Sequence, residues 1–148
     1  MPTKRTASGA GITAIAAVAA LLTTGTPALA TPAGPGVSGV ILSQRTVHGT
    51  DYILREITIP PGQATGWHSH LGPLYGRVKQ GTLSHFDATC ESDGVYPQGS
   101  VIQEPAGADN VHIGVNHGDV PIILDVLYVL PAGSALSVDA PNPGCDFQ

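Results

Sequence analysis

Charge is what this sequence has least of. Only 11% of its 148 residues are charged, and lysine and arginine together number 6. Lys4 and Arg5 stand at the extreme N-terminus. The rest of the chain sets Arg45, Arg55, Arg77 and Lys79 against 11 carboxylates, so it is acidic. A domain without a basic stripe is poorly suited to a polyanion, which argues against nucleic-acid binding. The same deficit argues against docking on an anionic membrane surface. Helix-favouring charged stretches are missing, as are internal repeats and any amphipathic helical run. There is no Ser-His-Asp order, no nucleophile elbow and no glycine loop shaped to cradle phosphate.

Glycine and proline are plentiful instead, at 19 and 13 residues. Residues 1–30 read as a signal peptide. Lys4 and Arg5 form the positive start, Gly11 to Leu22 is a short run of small apolar residues, and Ala28-Leu29-Ala30 is an A-x-A-like cleavage site behind Pro27. The run is shorter than the roughly 20 residues a membrane helix needs. No cysteine follows it for a lipid anchor, and Lys4-Arg5 is not a twin-arginine pair. The reading is an exported, extracellular protein that leaves the membrane once its signal is cut.

From about Thr31 the mature chain has length for one domain with one core. Residues 31–36 are expected as a loose arm. Strands are expected at Val37–Leu42, Thr50–Ile59, Ala64–His70, Ser100–Glu104, Val111–Val115 and Pro121–Leu130, with another at Ala135–Val138. In Thr50–Ile59 the inward face carries Ile53, Ile57 and Ile59, with Arg55 the exception. Leu74–Lys79 and Thr82–Asp87 are expected to pair as a hairpin around Gln80-Gly81, and Thr89–Gln98 to be an irregular loop. Many short strands with close turns make an all-β sandwich or barrel.

Two cysteines, Cys90 and Cys145, lie in the mature part. In an exported chain such a pair reads first as a disulfide, tying the loop after Asp87 to the C-terminal tail. A catalytic or metal-binding thiol is the competing reading, although neither cysteine has a histidine beside it.

The chemistry sits on histidines. Residues two apart on a strand share a face, so His68 and His70 can aim both imidazoles at one point. His112 follows the turn Pro105-Ala106-Gly107 on a later strand. Neutral imidazole is a common ligand for late first-row divalent metals. Gly62, His68, His70 and Gly81 fall in the register of the first cupin signature. Gly99, Pro105, Gly107, His112 and Asn116 match the second, with two extra residues before the histidine.

The chain thus resembles the cupin family, in particular small secreted single-domain, type-2-like cupins of actinobacteria. The resemblance implies a single-domain all-β barrel, a double-stranded β-helix or jelly roll, over residues 37–148. Its two motifs span residues 62–81 and 99–116. It implies a divalent transition metal (Zn, Fe, Mn, Ni or Cu) held by His68, His70 and His112, and a small-molecule ligand inside the barrel. The family's glutamate would fall at Leu74 or Tyr75, and neither can ligate as a carboxylate does. Asp109, on the insertion before His112, is the carboxylate considered for its place. Tyr75 borders the expected site and could offer a hydroxyl. Asn116 fixes a turn or orients His112. Trp67 should face away from the histidines, and His85 has no partner spacing that marks it as a ligand. A homodimer is possible.

Two readings of function stand at this point. One is a metal-dependent enzyme acting on a small polar molecule, which the open coordination positions of a three-histidine site suit. The other is a non-catalytic module that captures or senses a small ligand or a metal, which the missing glutamate favours.

Overall fold

The computed structural model of the protein describes residues 29–147. The signal peptide expected over residues 1–30 lies outside them except for its last two residues.

Ten strands and no helix are found among the described residues: β1 (Ser38–Val47), β2 (Thr50–Ile59), β3 (His68–Ser69), β4 (Leu74–Gln80), β5 (Thr82–Asp87), β6 (Ser92–Pro97), β7 (Val101–Glu104), β8 (His112–Val115), β9 (Ile122–Pro131) and β10 (Val138–Asp139). They form two 5-stranded antiparallel sheets, ordered β1-β2-β9-β4-β7 and β10-β3-β8-β5-β6.

β9 is the axis of the first sheet. Ile122, Leu124, Val126, Tyr128 and Leu130 alternate inward and are all buried, the period-two pattern of a strand with one core face. β2 pairs with β9 along its whole length, from Thr50 opposite Pro131 to Ile59 opposite Ile122. Ile53, Ile59, Leu74, Val78, Leu83 and Ile102 complete the core between the sheets. Each such side chain removed from water contributes about 1.5–3 kcal/mol.

A second apolar cluster lies on the outer face of the other sheet. Trp67, Ile113 and Val115 pack there beneath Ala140 and Cys145 of the tail, with Phe147 beside them. Trp67 turns away from the histidines, as alternation requires, and is fully covered. Cys90 and Cys145 are bonded, with their Cα atoms 5.4 Å apart, and this bond holds the tail over the tryptophan.

The structure corrects several expectations. β4 and β5 do not form a hairpin: they belong to opposite sheets, and the chain crosses between them at Gly81, whose φ of 78° is open to glycine. Part of the segment 89–98 is strand β6, paired with β5 from Thr82 opposite Pro97 to Phe86 opposite Ser92. The expected strand at Ala64–His70 shrinks to His68–Ser69, with a single bridge from Ala64 to Val115. The segment 31–36 is tied down: Thr31 N–H donates to Ala140 O (2.9 Å), Gly34 N–H to Ala64 O (2.8 Å) and Trp67 N–H to Thr31 Oγ1 (2.8 Å).

Candidate metal centre

Two strands of one sheet and one strand of the other deliver the site. His68 on β3 lies directly opposite His112 on β8, and their rings are 4.5 Å apart. His70 follows at the end of β3, its ring 4.8 Å from His68 and 5.2 Å from His112. The facing sheet contributes Glu104, the last residue of β7. One ligand atom from each of His68, His70, Glu104 and His112 lies within 4.8 Å of the other three.

The backbone fixes the tautomers. Nδ1 of His68 bonds the Gly66 carbonyl at 2.8 Å, Nδ1 of His70 the Leu136 carbonyl at 2.7 Å, and Nδ1 of His112 the Asn110 carbonyl at 2.9 Å. A carbonyl only accepts, so each Nδ1 carries the proton and each Nε2 presents a lone pair. Those lone pairs point into the barrel. Nε2 of His70 and of His112 is buried without a hydrogen-bond partner. Both nevertheless lie close to Oε2 of Glu104, at 3.2 and 3.3 Å. Acceptors facing acceptors in a buried space need a cation between them. The donor set therefore fits a divalent metal: three imidazole nitrogens oriented from behind, and one carboxylate.

Electrostatics agree with this arrangement. Burial pushes the His68 imidazolium down to a pKa of about 3, helped by the neighbouring His112 and His70 rings. Burial raises Glu104, but the His112, His70 and His85 rings that face it outweigh burial and hold the carboxyl well below its usual range. His68 is thus kept as neutral imidazole and Glu104 as ionised carboxylate, the forms that ligate.

Glu104 is the residue the sequence reading missed. The carboxylate expected at Leu74 stands across the ladder, because Leu74 of β4 and Glu104 of β7 are register partners. Leu74 itself is buried in the core. Asp109, considered for the role, is exposed and outside the cluster. The cluster therefore offers four donors rather than three. Period-two alternation from buried Ile102 would have pointed Glu104 inward.

His85 was also undervalued. On β5 it lies diagonal to His112, with rings 4.9 Å apart. Its Nε2 is 3.4 Å from Oε1 of Glu104 and its Nδ1 is 2.6 Å from Oδ1 of Asp93. Burial works against its charge, but Glu104 and Asp93 raise its pKa. It braces the free oxygen of Glu104.

Of the two residues expected beside the ligands, Tyr75 is turned away from the site and Asn116 takes the turn-fixing role. Tyr75 points outward, 43% exposed between buried Leu74 and Gly76, so its hydroxyl does not border the site. Asn116 is buried as a turn clamp: its amide donates to Ile59 O and Val120 O, both at 2.9 Å, and its Oδ1 accepts from Gly118 N–H at 2.9 Å. His48 and His117 lie outside the cluster.

No protein-family model matches the chain, and no curated protein is similar to it in sequence. Solved structures do resemble it. A conserved protein with a double-stranded β-helix domain from Klebsiella pneumoniae is 18% identical, with a TM-score of 0.56 over 74% of this chain and 88% of that one. A cupin domain from Bordetella pertussis is 20% identical, with a TM-score of 0.53 over 64% of this chain and 94% of that one. A cupin 2 conserved barrel domain protein from Salinispora arenicola is 16% identical, with a TM-score of 0.53 over 65% and 76%. At these identities the likeness is one of fold: the chain has the cupin fold, a double-stranded β-helix.

Proposed function

We propose that the protein binds one divalent transition metal through Nε2 of His68, His70 and His112 and a carboxylate oxygen of Glu104, and that this centre acts on a small polar molecule entering the barrel. One observation carries the reading: unprotonated nitrogens and a carboxylate converge in a buried space, with each imidazole held from behind by a backbone carbonyl. A metal bound there would polarise a ligand or activate water or oxygen. The protein's own part is to orient the imidazoles, keep His68 neutral, and steady Glu104 through His85 and Asp93. Imidazole-rich donor sets suit Zn, Fe, Mn, Ni and Cu alike, so the ion is named by measurement.

The test is metal titration of the chelator-treated protein. Wild type should bind one equivalent, and His112→Ala none. Equal binding by both overturns the reading. Turnover is scored separately, by oxygen consumption and product analysis across a panel of small polar molecules. A loaded protein that binds members of the panel and converts none is a capture module.

Export belongs to the same proposal. The bonded cysteines are consistent with an oxidising compartment. Protein from culture medium should have an intact mass beginning near Thr31, and a mass matching the whole chain speaks against it. A homodimer would cover Val40, Ile41 and Leu42, which stand exposed on the edge strand β1. Light scattering decides between that and a monomer.

A further inference from the structure

We infer that Arg55 and Tyr128 form a seat for a carboxylate, so that the molecule the barrel takes is a small organic acid anion with a second polar group reaching the histidine cluster. The second half rests on the metal-centre reading; the seat itself does not.

Arg55 is out of place by the logic of its strand. It faces inward on β2, between Ile53 and Ile57 and opposite Val126 of β9. A guanidinium in an apolar row is costly unless something compensates it. The fold makes room for it deliberately. On the edge strand, a Cβ at position 39 would overlap Nε, Cζ and Nη2 of Arg55, so Gly39 is the cradle in which the guanidinium lies. No carboxylate of the described residues pairs with it. The ion pairs of the described residues engage Lys79 and the histidines, and none engages Arg55. Its partner is the Tyr128 side chain, a neutral phenol whose ring is 5.9 Å from that of His70.

The surroundings show where an anion would sit. A pocket of about 300 Å³ is lined by Arg55, Tyr128, Thr65, His68 and His70, with Asp139 on its rim. Thr65, His68, His70, Ile57 and Tyr128 also line the inner cavity that reaches Glu104. The two spaces therefore lie side by side and share these five residues as lining. One wall is apolar and the polar groups are few and convergent, as in sites for small ligands. A guanidinium beside a hydroxyl presents parallel donors that match a carboxylate. Asp139 is the one acid on this rim, and it lies opposite His68 in the ladder rather than against Arg55. It disfavours a second negative charge there, so the acid's other polar group belongs at the cluster.

The experiment compares succinate, lactate and benzoate with succinamide, the uncharged diamide, by calorimetry and ligand-observed NMR. It uses the mature, metal-loaded protein. Wild type should bind at least one of the acids and not the diamide. Arg55→Met should weaken that acid tenfold or more, and Arg55→Lys should fall between, because lysine keeps the charge and loses the fork. Metal content should stay stoichiometric in both variants, which also reports that they fold. Binding of the diamide as strong as that of succinate overturns the seat. So does equal acid binding by wild type and Arg55→Met, or binding of no acid at millimolar concentration. If wild type holds no metal yet binds an acid through Arg55, the metal reading fails and the seat stands.

Discussion

At the scale of single residues, the site is a set of imposed protonation states. His68 is the clearest case. Its folded pKa of about 3 lies below the ordinary imidazole value of 6.5, so between those limits the unfolded chain takes up a proton that the folded chain refuses. Stability must then fall as pH drops from 6.5 towards 3. Glu104, held below its ordinary value, adds to the loss in the acid part of this window. His85, raised above its ordinary value, contributes stability that is present below pH 6.5 and lost as pH rises through its folded pKa, so its change lies above the window in which His68 acts. Urea denaturation of the metal-free protein at pH 6.5, 5 and 4 should show a falling midpoint, and His68→Ala should flatten the dependence. A midpoint that does not move across this range contradicts the assigned states. Glu104→Gln keeps the shape of the side chain and removes its charge. It should weaken metal binding tenfold or more, about 1.4 kcal/mol, as read by competition with a chromophoric chelator.

At the scale of elements, register matters more than motif spacing. Leu74 and Glu104 face each other across β4 and β7. Glu104→Leu alone should abolish tight metal binding. The exchange Leu74→Glu with Glu104→Leu returns a carboxylate to the adjacent strand and should restore binding in part; failure to recover any binding counts against the register argument. The bend between β3 and β4 is equally exacting. A Cβ at Gly72 would overlap the Val129 carbonyl oxygen, which belongs to β9 and cannot swing aside. Gly72→Ala should therefore cost roughly 3 kcal/mol of stability and displace His70 with the bend, both measurable by denaturation and metal content.

This is also the scale at which legibility in the sequence ran out. His68, His70 and His112 could be read because strand alternation and turn glycines are local signals. Glu104 could not be read as readily, because its role depends on which strand lies beside β4. The turn at Gln80-Gly81 is good local hairpin chemistry, yet sheet membership is decided by where β9 packs. β6 was hidden by Gly94 and Pro97, residues that weaken a strand signal although an edge strand tolerates them. Arg55 stood out from the start as the break in an apolar face, and only the position of Gly39 explains how it is housed.

At the scale of the whole molecule, two cores share one sheet, with the metal cluster on its inner face and Trp67 on its outer face. The disulfide belongs to the outer core. Closing a loop with 55 residues of separation contributes on the order of 4 kcal/mol. Reduction, or Cys145→Ser, should lower the melting temperature and release the tail. The chain has a single tryptophan, fully buried beneath that tail, so its emission should shift to the red. An unchanged emission after complete reduction would mean that the tail holds without the bond.

The central claim concerns four named atoms, and diffraction can find what they hold. Crystals of the metal-loaded protein, measured at the absorption edge of the bound metal, should give one anomalous peak inside the barrel. It should lie about 2.0–2.2 Å from Nε2 of His68, His70 and His112 and from a carboxylate oxygen of Glu104. No peak there, or a peak that leaves Glu104 uncoordinated, contradicts the account.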